Sequence, residues 1–251
     1  MSLFKMSVQE AIDSLMRAAS FGLGPQPEQS EMLKIIDTVE RQYSHSDSAK
    51  LEYWLGIAWR NYTAWFIRGD DRKPNLEKAI AHLESAYEIE QAQSGANVVT
   101  YADELGVILV EEASVRNLER GIALLETVFQ TNRGYDPYLC SYAEAIYKAG
   151  DYRKAADIAF ELHRRAKRSK EWKDSPPPAP MRIAAKALRA EINKLRKSAS
   201  YKDALSISGK LIQTNFATSN DRKIHDKLQL LLTKSSTITE PPDDQIDENS
   251  D

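Results

Sequence analysis

Ten residues recur almost unchanged forty-two positions apart, and no other feature constrains the chain as tightly. Asn75-Leu76-Glu77-Lys78-Ala79-Ile80-Ala81-His82-Leu83-Glu84 returns as Asn117-Leu118-Glu119-Arg120-Gly121-Ile122-Ala123-Leu124-Leu125-Glu126, identical at seven of ten places. Each copy opens with an Asn able to cap a helix and places a Glu in the first turn, where it complements the helix macrodipole. A helix carrying Leu-Gly precedes each copy, as Leu55-Gly56-Ile57 and Leu105-Gly106-Val107. A duplicated helix–turn–helix unit follows from this. The scarcity of Gly and Pro, ten of each in 251 residues, favours helix over sheet.

A second match lies further on. Asp151-Tyr152-Arg153-Lys154-Ala155-Ala156-Asp157-Ile158 parallels Ser200-Tyr201-Lys202-Asp203-Ala204-Leu205-Ser206-Ile207. Each starts the second helix of a hairpin, after helices near 137–149 and 181–197. Ahead of the repeats, Ser7-Val8-Gln9-Glu10 reads as a capping box, and two helices are expected within 6–43. Gly22-Leu23-Gly24 is a turn between them, not a dinucleotide loop. Ser44-His45-Ser46-Asp47-Ser48 is a second turn. A third helix, about 49–68, carries one stripe of Leu55, Trp59, Tyr62 and Phe66 and another of Trp54, Ala58 and Trp65. A helix apolar on most of its circumference is buried on several sides, so this one should centre the N-terminal half. Tyr53 and Arg60 are its members expected to face solvent.

Ser175-Pro176-Pro177-Pro178-Ala179-Pro180 reads as an extended connector, since Pro is excluded from helix interiors. A last helix near 220–233, with Ile224, Leu228 and Leu231, caps the array. From Ser235 onward the Ser, Thr, Pro and acidic residues offer nothing to bury, so the segment 235–251 is expected to be disordered.

Ala149-Gly150-Asp151-Tyr152-Arg153-Lys154-Ala155 resembles the turn of a tetratricopeptide (TPR) repeat. In that family a small residue on the first helix faces a small one on the second, and the hairpin closes tightly. The matching pairs are Gly106 with Gly121, Ala143 with Ala155, and Gly56 with Ala79. The intervals 79 to 121, 121 to 155 and 155 to 204 are 42, 34 and 49 residues, and only the second has the family period. Ile192 stands at the small-residue place of the last unit, a departure from the pattern. The resemblance implies an all-α, right-handed superhelical array of antiparallel helix hairpins with irregular repeat lengths. One domain over 1–234 is expected, with units near 49–92, 98–132, 137–168 and 181–216.

Several chemistries find no support. The lone Cys140 excludes an internal disulfide framework and a cysteine-rich zinc site, and it reads as a packing residue. His45, His82, His163 and His225 are scattered, with no pair at metal-ligand spacing. His82 reads as structural, since the other copy has Leu124 there. Glu111 and Glu112 are neighbours on a helix and diverge. No enzyme, cofactor or metal is expected. There is no apolar signal core and no long apolar run, so neither secretion nor a membrane span is expected, and the cytoplasm is the default compartment.

Binding is the remaining function, and the resemblance implies where. Its groove positions correspond to Lys50, Tyr53, Ile57, Arg60 and Asn61 in the first unit, and to Thr100, Asp103, Val107, Val110 and Glu111 in the second. The third unit gives Pro137, Cys140, Glu144, Tyr147 and Lys148, and the fourth Lys186, Arg189, Asn193, Arg196 and Lys197. Another protein's peptide or helix would lie there. Charge suggests an alternative. The chain is net −3, yet residues 153–202 hold fifteen Lys and Arg against five Asp and Glu, while 239–251 hold six acids and no base. An acidic partner, nucleic acid included, would therefore meet 164–197, where Arg164, Arg165, Lys167 and Arg168 begin the stretch. The acidic tail is a candidate internal competitor for the same patch.

Overall fold

A computed structural model describes residues 6–19, 27–43 and 47–237. Expectations for 1–5, 20–26, 44–46 and 238–251 lie outside the described residues, among them both Gly22 and Gly24, most of the Ser44–Ser48 turn and the acidic end of the tail. The regular structure of the described residues is all helical, with eleven α-helices and no strand among them. They divide into two compact units, 1–133 and 134–251.

The first unit holds α1 (Val8–Ala19), α2 (Gln29–Gln42), α3 (Ala49–Phe66), α4 (Arg72–Ala92), α5 (Val98–Glu111) and α6 (Leu118–Thr131). Its start is the expected capping box: the Glu10 amide donates to Ser7 Oγ at 3.2 Å, and the Ser7 amide donates to the Glu10 carboxylate at 2.7 Å. As its aromatic circumference demands, α3 packs against α1, α2 and α4 at once. Leu51, Leu55, Ala58, Trp59 and Tyr62 are buried along it. Each such large side chain contributes roughly 1.5–3 kcal/mol by leaving water.

The repeated segment recurs in three dimensions. A Cβ placed on Gly56 would stand 2.6 Å from Leu83 Cγ and 3.0 Å from the Ala79 carbonyl oxygen. One placed on Gly106 would stand 2.8 Å from Leu125 Cγ and 3.2 Å from the Gly121 carbonyl oxygen. Both hairpins, α3 with α4 and α5 with α6, thus close over the same Gly–Leu contact, and a side chain at either glycine would wedge the helices apart. The beginnings of the copies differ. Asn117 caps α6 as expected, accepting from the Arg120 amide at 3.1 Å. Asn75 caps nothing: α4 already starts at Arg72, and the Asn75 amide group donates to the Asp71 carbonyl at 3.3 Å. Pro74 permits the earlier start, because first-turn amides have no acceptor within the helix.

The second unit holds α7 (Cys140–Lys148), α8 (Tyr152–Arg168), α9 (Pro178–Lys197), α10 (Tyr201–Ile212) and α11 (Ser219–Thr237). Successive helices from α7 to α11 pack on one another. Gly150, at φ +85°, supplies the left-handed residue between α7 and α8, and Asp151 then caps α8 through the Lys154 amide. Ala143 and Ala155 are both fully buried in this hairpin.

Two boundaries move. Pro178, Ala179 and Pro180 form the first turn of α9 rather than the end of an extended connector, again because proline costs little at positions whose amides are unbonded anyway. At the other end, α11 continues through 235–237, the beginning of the segment expected to be disordered.

Candidate functional site

In the first unit, the expected groove positions are mostly committed to the protein itself. Tyr53 and Arg60, expected in solvent, are half-buried. Tyr53 stacks on Tyr101 with ring centroids 4.6 Å apart, and Arg60 pairs with Glu104 at 2.5 Å. Both contacts tie α3 to α5, and Asn61 ties α3 to α1 by donating to the Ala19 carbonyl at 2.7 Å. Ile57, Asp103 and Val110 are buried, and Val110 lies directly against Gly121. Val107 is half-buried, so Lys50, Thr100 and Glu111 are the exposed positions of these ten.

The second unit is different. Lys186, Asn193, Arg196 and Lys197 are exposed along α9, as are Pro137 and Lys148, while Glu144 is half-buried. Tyr147 and Lys186 meet, the ammonium 4.3 Å above the ring, which is cation–π geometry. Arg189 is taken up internally. Its guanidinium grips the Asp221 carboxylate at 2.8–3.1 Å and also donates to the Phe216 carbonyl. Asp221 in turn receives the Thr218 amide at 2.7 Å and the Thr218 hydroxyl at 2.8 Å, while its own amide donates back to Thr218 Oγ1. This is a capping box for α11 bolted to α9 by an arginine. Burial works to raise the Asp221 carboxyl, but Arg189 and Thr218 together hold it below the usual carboxylate range.

That bolt fixes α11 alongside α9 and leaves a groove. A cavity of about 520 Å³ is lined by Ile224 and Leu231 with the buried Leu228 between them, spaced along one face of α11. Arg196 and Lys197 of α9 edge it, with Lys227 of α11 and Tyr201 at the start of α10. None of its lining residues is acidic. A smaller cavity of about 240 Å³ continues it past Asn193 and Ile224 to Asp221, whose charge Arg189 already holds. Leu228 is buried, but Leu231 is 41% exposed and Tyr201 39%. The α9 side of this groove, Asn193, Arg196 and Lys197, was anticipated from register. The α11 side was not, because that helix read only as a cap. Lys227, lying between Ile224 and Leu231 on the sequence, was the overlooked signal.

The beginning of the basic stretch is largely self-satisfied. Arg164, Arg165 and Arg168 all reach the single carboxylate of Glu161, at 3.0, 3.3 and 3.2 Å. Burial would raise the Glu161 carboxyl, yet these guanidiniums hold it low. The Arg165 side chain is nearly buried. Arg153 similarly serves Glu191 across α8 and α9, at 2.7 Å.

Elsewhere, His82 is more than packing. Its Nδ1 lies 2.6 Å from Glu52 and its Nε2 3.0 Å from Glu40, so one imidazole joins α4 to α3 and α2. Trp59 Nε1 donates to the same Glu40 oxygen at 2.5 Å, and Lys78 sits 4.0 Å over the Trp59 ring. Burial alone would lower the imidazole pKa, but the two carboxylates carry it up to about 9. His82 is therefore a cation at neutral pH and a cross-brace, not a base. Burial pushes the Cys140 thiol up to about 11, beside Tyr135 and Glu144, so it is not a thiolate at neutral pH. Among the described residues no group of three or more His, Cys, Asp and Glu is placed to hold a metal ion, and no helix is long and apolar enough to cross a membrane. A cavity of about 700 Å³ between α1 and α2 is edged by Arg17 and Lys34 as well as Glu28 and Glu31 and so favours neither sign of charge.

The sequence matches no model of a known protein family, and no curated protein matches it.

Proposed function

We propose that this chain is an interaction scaffold of tetratricopeptide-like hairpins that holds an acidic, partly apolar peptide of another protein along the α9–α11 groove. The single observation that carries the reading is the pairing of accessible apolar side chains, Ile224 and Leu231 over a buried Leu228, with basic residues from two helices, Arg196 and Lys197 of α9 and Lys227 of α11. Apolar surface supplies affinity and the flanking charges supply orientation and a fast approach. The repeated Gly–Leu closures of the two N-terminal hairpins support the tetratricopeptide-like assignment, and the right-handed superhelical arrangement belongs to the same proposal. A nucleic-acid partner fits less well. The apolar strip has no use for phosphates, and Arg164, Arg165 and Arg168 are shared around Glu161.

Fluorescence anisotropy on the full chain tests this with a labelled synthetic peptide of alternating Leu-Leu and Glu-Glu pairs. The peptide should bind at moderate salt and weaken at least tenfold with Arg196→Glu and Lys227→Glu combined. Replacing its leucines by serine should weaken it comparably. Tight binding of a single-stranded oligonucleotide together with no binding of the peptide would transfer the function to the alternative partner class.

A further inference from the structure

The segment that follows α11 has the composition the groove would select. Residues 238–251 read Ile-Thr-Glu-Pro-Pro-Asp-Asp-Gln-Ile-Asp-Glu-Asn-Ser-Asp, with six carboxylates, no base and two isoleucines. Ile246 stands between Asp243-Asp244 and Asp247-Glu248, an apolar side chain flanked on both sides by paired acids. The groove presents the inverse pattern, Leu231 and Ile224 flanked by Arg196, Lys197 and Lys227.

Chain length permits the match. Helix α11 ends at Thr237, and at 1.5 Å per residue Leu231 lies about 9 Å and Ile224 about 20 Å back along its axis. The span from Ile238 to Ile246 reaches up to roughly 30 Å when extended, so Ile246 can be delivered to any point of the strip. Pro241-Pro242 follow Thr237 by four and five residues, and proline disfavours continuation of the helix.

We infer that residues 238–251 are the groove's resident occupant, docking Ile246 on the α11 strip with Asp243, Asp244, Asp247 and Glu248 against Arg196, Lys197 and Lys227, and that a partner peptide must displace them. This rests on the proposed peptide-binding role of the same groove. A tether holds the segment at an effective concentration on the order of millimolar, so a contact of only about 0.1 mM intrinsic affinity shields the groove about tenfold. The device sets a threshold: partners with weaker acidic–apolar motifs than the chain's own are excluded, and high salt loosens lock and ligand together.

The test keeps the whole chain and changes only the segment's charge. The variant Asp243→Asn, Asp244→Asn, Asp247→Asn, Glu248→Gln should bind the labelled Leu/Glu peptide about tenfold more tightly than the unaltered chain. Independently, carbodiimide treatment of the unaltered chain should join Lys197 or Lys227 to an acid within 243–248 in monomeric material, as read by mass spectrometry, and 0.5 M NaCl should abolish that link. Equal peptide affinity for the two chains, with no such cross-link, overturns the inference while leaving the groove's peptide-binding role standing. No binding of the peptide to either chain, with the cross-link present, removes the partner-binding role and keeps the docked segment. No binding and no cross-link removes both.

Discussion

The two copies of the ten-residue segment share seven residues, yet they are held in place by different means. Where they agree, at Leu83 and Leu125 and at the glycines those side chains cover, the hairpins close identically. Where they differ, the neighbours explain the difference. His82 of the first copy has Glu40 and Glu52 within reach because α2 and α3 flank it. Its counterpart Leu124 packs among the partly buried apolar residues around the core. Ala79 against Gly121 follows the same logic. A Cβ on Gly121 would stand 2.7 Å from Val110 Cγ2 and 3.0 Å from the Gly106 carbonyl. The residue corresponding to Val110 in the first hairpin is Arg60, which is paired with Glu104, and there an alanine is accommodated. The backbone contact defines the unit, and the remaining positions are adjusted to what each unit touches.

The strongest way to break this equivalence is to fill the shared contact. Gly56→Val and Gly106→Val should each destabilise the chain by about 3 kcal/mol, the upper part of the range for overpacking. The two losses should agree within about 1 kcal/mol, because the obstructing atoms correspond one to one. Urea denaturation of the two variants measures both. A loss confined to one glycine would mean that the repeated sequence does not carry a repeated packing role.

Exchanging the brace comes next. His82→Leu writes the second copy's residue into the first and strands Glu52, whose side chain is only 10% exposed, beside Glu40. Removing one member of a buried ionic cluster costs up to 3–5 kcal/mol, and the partial exposure of Glu40, 26%, reduces this to about 2 kcal/mol here. The pH dependence gives the sign. The folded-state pKa of His82 is raised to about 9, so its contribution is complete below the unfolded value near 6.5 and is lost as pH rises through 9. Stability of the unaltered chain should therefore exceed that of the variant most at pH 6, with the gap narrowing by pH 9.5. A gap that stays constant across that range would show the imidazole to act by packing alone.

What could be read from the sequence, and what could not, divides along the same line. The Gly106–Gly121 closure and the central place of α3 were legible because they depend on spacing within one segment or between two similar ones. The His82 brace was not, since its partners lie 42 and 30 residues away on two other helices. Arg189 was read as a groove residue because nothing in its own helix reveals Asp221, thirty-two residues on. Half of the candidate groove escaped for a related reason. Ile224, Leu228 and Leu231 are visible as a stripe, but a stripe does not say how much of itself the neighbouring helix will cover, and here Leu231 keeps 41% of its surface exposed. Helix starts at Arg72 and Pro178 were displaced by prolines that punctuate a sequence more strongly than they punctuate a first turn.

The smallest expected effect concerns the residue that opens both copies. Asn117 accepts the Arg120 amide at the true start of α6, so Asn117→Ala should cost about 1 kcal/mol, as loss of an N-cap does. Asn75 sits one turn inside α4, and its side chain donates to a carbonyl rather than accepting from a first-turn amide. Alanine has the higher helix propensity there, so Asn75→Ala should fall within about 0.5 kcal/mol of neutral. Thermal unfolding of the pair separates sequence identity from structural role at one position: equal losses would place the start of α4 at Asn75 and return the two copies to full equivalence, whereas unequal ones show that a repeated residue keeps its function only where the backbone around it repeats too.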